Sequence, residues 1–305
     1  MGEIADLLRR VRRERDPGGK VEDAEWAALA ESADPLSEFD PSDALDSLPG
    51  WNEASSSRAP GTGQAGGVRI PTTRRGRWAA RAVVADHEGR YSEHYRHFAL
   101  RVRRALEQRK ARSVLVTSPL PEEGKTTPAC NLALALASMA AGKRIALVEL
   151  DLRRPSIAKA LWVSSATAFE NVLVGRATLR SGFVRCEEPA LDLYLVHEPS
   201  ERAHEVLAGL PVRKVLRELA AQYDTVVIDT PPVLPVPDVP LVAPHADACV
   251  VVVEAGVTRR SAFRDALQAL PRDKVIGVFV NKSRSARRVP SEHYVRHAAE
   301  EVEET

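Results

Sequence analysis

Three short stretches hold residue types that together can grip a phosphorylated ligand: "SPLPEEGKTT" (118–127), "VELDLRRP" (148–155) and "VVIDTPP" (226–232). In the first, Gly124-Lys125-Thr126-Thr127 has the order of a phosphate-binding loop. Backbone N–H groups and a helix N-terminus cradle the phosphates, Lys125 neutralises the outer oxygens, and the Thr126 hydroxyl is placed to bind Mg²⁺. Thr127 falls near the innermost phosphate. Lys125 is expected to stand at the surface for the phosphate rather than for packing. A bare Gly-Lys-Thr also occurs in chance turns, so the weight falls on the other two stretches. Glu149 and Asp151 are two residues apart at the end of one apolar run, and Asp229 closes another. Carboxylates at the carboxyl ends of parallel strands sit where open α/β sheets bind ligands. Three of them aimed at one loop are costly unless a cation or a phosphate-bound metal lies between, the alternative being carboxylates simply solvated at strand ends.

The elements needed to position these residues are legible. Strands are expected at 113–117 ("SVLVT"), 144–150, 191–197, 224–229, 248–254 and 275–280, with helix-period segments between them. Strand, loop and helix follow one another at 113–142, where "PACNLALALASMAAG" (128–142) reads as a helix stopped by Gly142. The pattern predicts an α/β domain over 86–285, a doubly wound, mostly parallel sheet with helices on both faces, as in P-loop NTPases.

Outside that domain the chain changes character. Ile4, Leu7, Leu8 and Val11 fall at i, i+3, i+4 and i+7, which predicts a short amphipathic helix over 1–16. Residues 17–85, acidic at first and then rich in Ser, Gly and Pro, read as a largely disordered linker. Its basic run 74–81 reads as a solvated segment, with a membrane surface or nucleic acid as the alternative, and residues 286–305 form a polar tail. A formal net charge of +1 on 28% charged residues gives no whole-chain basis for nucleic-acid binding. Cys130, Cys186 and Cys249, odd in number and far apart, predict reduced packing residues rather than a disulfide frame. With no signal core and no segment of about 20 apolar residues, a cytoplasmic location is expected, peripheral at the membrane only through a partner. Histidines show no ligand spacing, so no metal beyond Mg²⁺ is assigned.

The three stretches resemble the Walker A, Walker A-prime and Walker B motifs of the bacterial tyrosine kinases that govern capsule and exopolysaccharide synthesis, within the wider MinD and ParA group of ATPases. "NLALALASMAAGKR", "DVPLVAPHADACVVVVEAGVTR" and "VIGVFVNKS" extend the resemblance across roughly residues 90–285, and "IADLLRRVRRERD" is similar to the first helix of members without fused membrane segments. The resemblance implies a fold and a set of roles. Ser118, Glu123, Gly124, Lys125, Thr126 and Thr127 would hold ATP, Asn281 would lie at the base, and Thr126, Asp151 and Asp229 would serve Mg²⁺. Lys125, Glu149, Asp151 and Asp229 would be catalytic, Glu149 occupying the place of an aspartate that is a candidate base for the tyrosine hydroxyl. It also implies partners: ATP or ADP, a membrane polysaccharide co-polymerase or its cytoplasmic segment, and further copies of the chain.

Several positions depart from the family pattern. Glu122 replaces a loop glycine, adding charge where phosphate must approach. Pro128 removes an N–H early in the following helix, and Glu149 extends the usual aspartate by one methylene. In "EHYRHFALR" Glu93 and Arg96 match an oligomerisation motif whose final arginine is here Ala99, and Tyr294 alone stands where members carry a tyrosine cluster. Arg153 and Arg154 are open to pairing with phosphate, a neighbouring subunit or surface carboxylates. Two alternatives to a kinase follow: a nucleotide-dependent interaction module that has lost catalysis, and a MinD/ParA-type ATPase. The second is disfavoured by Leu120 and Pro121, which occupy the region of that group's signature lysine.

Overall fold

Alternation of short apolar runs with helix-period segments produces a seven-stranded sheet in the computed structural model, which describes residues 92–139, 142–163, 169–187 and 189–283. The helix expected at 1–16, the 17–85 linker and the 286–305 tail with Tyr294 lie outside the described residues. In chain order the strands are β1 (Ser113–Thr117), β2 (Ile145–Glu149), β3 (Val184–Cys186), β4 (Leu191–Tyr194), β5 (Thr225–Asp229), β6 (Ala248–Glu254) and β7 (Val275–Asn281). They are arranged β3-β4-β2-β5-β1-β6-β7, all neighbours parallel except β3 against β4. Only β3 escapes the sequence reading. It is three residues long, too short to display a period.

Parallel strands need crossovers, and helices supply them on both faces. One face carries Val114 and Val116, Ile145 and Leu147, Val227, and Ala248, Val250 and Val252; it packs with α1 (Ser92–Arg109) and α2 (Thr126–Met139) in the main core. The α1 helix turns Tyr95, Ala99, Val102 and Leu106 toward that core, one residue per turn, and leaves charged residues outside. Buried between α1 and the sheet, α2 is apolar almost all round from Pro128 to Leu136. Gly142, at a φ of +77° that favours glycine, follows in the turn back to β2. The opposite face, with Leu115, Val148, Val226, Ile228 and Val251, is covered partly by α6 (Leu210–Gln222), whose Val212, Val215, Leu216 and Leu219 form one stripe. Between β2 and α6 lie α3 (Ile157–Leu161), α4 (Phe169–Leu173) and α5 (Ala203–Ala208), followed beyond β5 by α7 (Asp238–Val242) and α8 (Arg260–Gln268).

Side chains fix both ends of the sheet. At the end remote from the phosphate loop, the Asp247 carboxylate accepts from the Arg112 and Ser113 N–H groups and the Ser113 hydroxyl, at 2.8 to 2.9 Å, pinning the start of β1 to that of β6. Asp224 likewise accepts from the Arg144 N–H and from Lys143 before β2. Near α1, Phe279 of β7 packs against Tyr95 and Phe98 with ring centroids 5.7 and 4.8 Å apart, so the first described helix is stapled to the last strand. Cys130, Cys186 and Cys249 are all buried and none forms a disulfide.

The fold explains one departure from the family pattern. Ala99, where the oligomerisation motif has arginine, is fully buried (0% exposed) between α1 and the core, while Glu93 and Arg96 pair with each other along the helix. A guanidinium at position 99 has neither room nor a partner. Ala99→Arg is therefore expected to destabilise the domain by about 3 kcal/mol or more, a cost of overpacking and of an unpaired buried charge, read as a lowered midpoint in urea unfolding.

Candidate functional site

The register of the sheet assembles the site. Glu149 of β2 lies beside Asp229 of β5, and Asp229 beside Val116 of β1, so two carboxylates and the root of the phosphate loop form a single row across three strands. Both carboxylates share the face of Leu147 and Val227, toward α2. Here β1 sends its crossover one way to β2 while β6 lies on its other side, the switch point at which open α/β sheets bind ligands.

The loop after β1 closes on itself before it reaches α2. Ser118 gives its hydroxyl proton to the Leu120 carbonyl at 2.8 Å, and its own carbonyl accepts from the Val233 N–H. Gly124 adopts a φ of +82°, and a Cβ there would stand 2.5 Å from the Asn281 amide nitrogen, so only glycine fits. Glu122 also has a positive φ, +65°, which is costly for a residue with a Cβ. Its side chain is exposed, and its carbonyl accepts from Lys282 Nζ at 2.7 Å. The first turn of α2 is set by Thr127 N–H to Gly124 O (3.3 Å) and Ala129 N–H to Lys125 O (3.1 Å). Pro128 is the third residue of that helix, where N–H groups have no intrahelical acceptor, so its missing N–H costs no helix bond.

Lys125 points across to the carboxylates. Its Nζ lies 2.8 Å from Asp151 Oδ2, with side-chain exposures of 13% and 5%. The expectation of a surface lysine is thereby corrected: the ammonium is the counter-charge of a buried acidic cluster. Burial alone would lower its pKa, but Asp229, Asp151 and Glu149 outweigh burial and hold it above the usual lysine value. Asp151 Oδ1 accepts the Arg154 N–H at 3.0 Å, which fixes the turn after β2. Asp229 is different. It is fully buried and neither of its carboxylate oxygens meets a donor in hydrogen-bonding geometry, although the Thr126 hydroxyl and the Thr230 N–H are close enough to favour its charge. Burial pushes its pKa up to about 6, with Lys125 pulling the other way. The Thr126 hydroxyl itself is 3.1 Å from Ser156 Oγ.

Glu149, Glu123 and Asn281 have tasks that their sequence assignments do not describe. The Glu149 carboxylate accepts three backbone N–H groups, from Ser156, from Ile157 at 2.8 Å and from Val196 at 3.2 Å, and so ties the start of α3 and the end of β4 to β2. Burial raises its pKa to about 8 against the pull of those donors. Glu123, 3% exposed, accepts the Leu120 N–H at 2.8 Å and the Thr258 hydroxyl, so its charge is spent inside the loop. Asn281 donates its amide to the Glu123 carbonyl at 2.9 Å and, at 3.4 Å, to that of Gly124, gripping the loop rather than standing apart from it. Arg153 makes a bidentate pair with fully buried Asp238 at 2.7 and 3.1 Å; Arg154 is exposed. Sequence reasoning passed over Ser156, Asp238 and Thr258. A serine, an aspartate and a threonine in ordinary surroundings carry no local signal of long-range pairing.

The geometry suits a metal-nucleotide. Lys125 and the Thr126 hydroxyl, at the start of the helix that follows the loop, face a cluster of three carboxylates for which Lys125 is the one compensating ammonium. Among the described residues no group of three His, Cys, Asp or Glu is arranged to hold a metal alone; Mg²⁺ usually takes one or two carboxylates together with ligand phosphates and water. The buried, donor-less oxygens of Asp229 fit such a hydrated cation.

Comparison with known proteins extends this reading. The model of a family described as AAA domain matches residues 123–259. Over 211 residues the chain is 31% identical to the tyrosine-protein kinase YwqD of Bacillus subtilis (strain 168), covering 68% of this chain and 88% of that protein. It is also 31% identical over 209 residues to the succinoglycan biosynthesis transport protein ExoP of Rhizobium meliloti (strain 1021), of which it spans only about a quarter, 26%. Among solved structures, the kinase domain of VpsO superposes with a TM-score of 0.56 at 30% identity, covering 68% of this chain and 96% of that domain. With a kinase matched over most of its length, and with the motif strands aligned on one sheet, the chain belongs to the bacterial tyrosine-protein kinase family.

Proposed function

We propose that the domain binds ATP with Mg²⁺ and transfers the γ-phosphoryl group to protein tyrosine, in the control of exopolysaccharide or capsule synthesis. The observation that carries this reading is the row Glu149–Asp229–Val116, which sets the donor-less Asp229 carboxylate beside a phosphate loop whose lysine is held toward it. In this reading Lys125 exchanges part of its contact with Asp151 for the outer phosphate oxygens. Gly124, Thr126 and Thr127 offer N–H groups to the phosphates, and Thr126, Asp151 and Asp229 hold the cation directly or through water. Bound Mg²⁺ would supply charge neutralisation at the phosphates. Phosphoryl transfer of this kind asks the protein mainly for positioning and electrostatics, and a preformed, buried cluster supplies both. Glu149, with both oxygens engaged by backbone donors, is suited to holding β2, α3 and β4 in place rather than to taking the tyrosine proton. Ser118, Glu123 and Asn281 likewise act on the ligand through the shape of the loop.

The acceptor is another chain or a segment beyond the described residues. Tyr95, Tyr194 and Tyr223, the described tyrosines, are 7%, 1% and 1% exposed. A cytoplasmic segment of a membrane polysaccharide co-polymerase is the partner we assign, with assembly into a homo-oligomer as a further expectation. Among the described residues no helix is long and apolar enough to cross a membrane. The engagement of Glu149 favours one second reading, a nucleotide-dependent docking module without transfer activity. Incubation with ATP, Mg²⁺ and the partner's cytoplasmic segment, read by mass spectrometry, decides between them. Phosphotyrosine establishes the kinase, bound ATP without phosphotyrosine the docking module, and failure to bind either ATP or ADP removes both.

Lys125→Ala is expected to abolish most ATP affinity in calorimetry and also to weaken the nucleotide-free fold by about 3 kcal/mol, because it strips the buried carboxylates of their partner. The pH dependence has a definite sign. Asp229 titrates near 6 in the fold, above its usual value, so its charged form costs stability as pH rises. Removing the ammonium raises that cost, so the deficit of the variant is small in acid and grows as pH climbs through about 6, measurable by urea unfolding at a series of pH values. Glu122→Gly relieves the left-handed backbone by roughly 1 kcal/mol and removes a nearby negative charge. It is expected to raise the unfolding midpoint and to tighten ATP binding several-fold at low salt, a gain that shrinks as salt is added because the side chain is exposed.

A further inference from the structure

The side of the phosphate loop away from Asp151 is held by residues of the β6 and β7 ends. Lys282 Nζ binds the Glu122 carbonyl at 2.7 Å and Glu254 Oε2 at 2.8 Å. The Asn281 amide binds the Glu123 carbonyl at 2.9 Å. The Thr258 hydroxyl donates to Glu123 Oε1, while Oε2 of the same carboxylate holds the Leu120 N–H at 2.8 Å. Of the residues braced in this way Glu123 is buried, at 3% exposure, and a buried carboxylate is where the loss of a donor is costly.

The direction of the Thr258 bond is fixed by its neighbours. Its oxygen accepts the Glu254 N–H at 2.8 Å, and an ionised carboxylate can only accept, so the single hydroxyl proton goes to Glu123. A relay runs from the β6 end through Thr258 to Glu123, and from Glu123 back to Leu120. Glu123 immediately precedes Gly124 and Lys125. Anchoring its side chain and its carbonyl at once sets the peptide planes whose N–H groups would face the phosphates.

We infer that Thr258 is a positioning residue for nucleotide phosphate, acting through the Glu123 carboxylate to hold the loop in its binding shape. This deepens the nucleotide reading above and rests on it. The competing role for Thr258 is local: its oxygen closes the turn after β6, where the Val257 and Thr258 N–H groups also return to the Glu254 carbonyl. That role would show in stability but not specifically in ligand affinity, and it would be indifferent to Glu123.

The test uses the full chain, with Mg²⁺ and ADP as the probe in calorimetry and nucleotide-free thermal unfolding beside it. Thr258→Val, which keeps the shape and removes the hydroxyl, should weaken ADP binding about tenfold, while Thr258→Ser should stay within about threefold of wild type. The two contacts use different carboxylate oxygens, and a glutamine at 123 puts an NH₂ donor in place of one of them, so it cannot accept from Leu120 and Thr258 in this geometry. Glu123→Gln should therefore also weaken binding, and the double variant Glu123→Gln/Thr258→Val should lose less than the product of the two single effects, since both break one relay. Wild-type affinity in Thr258→Val, equal losses in the serine and valine variants, or fully multiplicative effects would each overturn the inference. If Thr258→Val does not fold, undiminished affinity in Glu123→Gln overturns it and a loss supports it. Wild-type protein that binds no ADP overturns the nucleotide reading, and this inference with it.

Discussion

An imbalance of charge inside the sheet dictates the rest of the structure. Glu149, Asp151 and Asp229 are buried to 0%, 3% and 0% exposure at the carboxyl ends of adjacent strands, and among them Lys125 is the single ammonium bound to a carboxylate. A cluster of this kind is expensive in a low-dielectric interior unless each charge is answered. The chain answers two of the three with well-formed hydrogen bonds. Glu149 is met by three backbone N–H groups and Asp151 by Lys125 and the Arg154 N–H, whereas Asp229, in the middle of the row, has only the charge of Lys125 and the nearby Thr126 hydroxyl and Thr230 N–H, none of them in hydrogen-bonding geometry. The energetic deficit is localised at one carboxylate, and a hydrated cation carried by phosphates is the complement it lacks.

From that constraint the loop architecture follows. Because the carboxylates lie on the α2 face, the phosphate loop must fold over them, and a loop that tight needs a residue without Cβ at Gly124 and support from both flanks. The Asp151 side gives the lysine its direction. The β6 and β7 side gives the loop its shape through Lys282, Asn281 and Thr258. The extra carboxylate of Glu122, which in sequence reads as a threat to an anionic ligand, is turned outward by its left-handed backbone, so much of its repulsion is screened by water.

How much of this was legible in the sequence depends on the range of the interaction. Strand β1 is found at 113–117 as read, and β6 at 248–254, because an apolar run bounded by polar residues is a local signal. The α2 helix begins two residues before the reading, at Thr126, since Pro128 looks like a first helical residue and is in fact the third. The placement of Lys125, Asp151 and Asp229 at one end of the sheet was legible from motif order and strand ends. The work of Glu149, Glu123 and Asn281 was not. Each was assigned to a ligand on the family resemblance, whereas the groups its side chain meets are backbone groups and, for Glu123, the Thr258 hydroxyl, distant in sequence or folded back in space. Thr258 and Asp238 escaped for the same reason.

The strand order also has a bearing on how the chain acquires its site. Strand β1, the root of the loop, has no sheet neighbour among the elements that follow it directly: Ser113 pairs with Val226 of β5, and Val114 with Ala248 of β6. Closing such distant pairings costs chain entropy before any contact repays it. A nascent chain that has emerged only through α2 therefore owns the complete Gly-Lys-Thr signature without a bed for it. The loop can take its working shape only after β5 and β6 have been made, and its braces Asn281 and Lys282 arrive only at the end of β7, the last described strand. Nucleotide, if it is to assist folding, can do so only at the end of that sequence, as a seal on an assembled sheet.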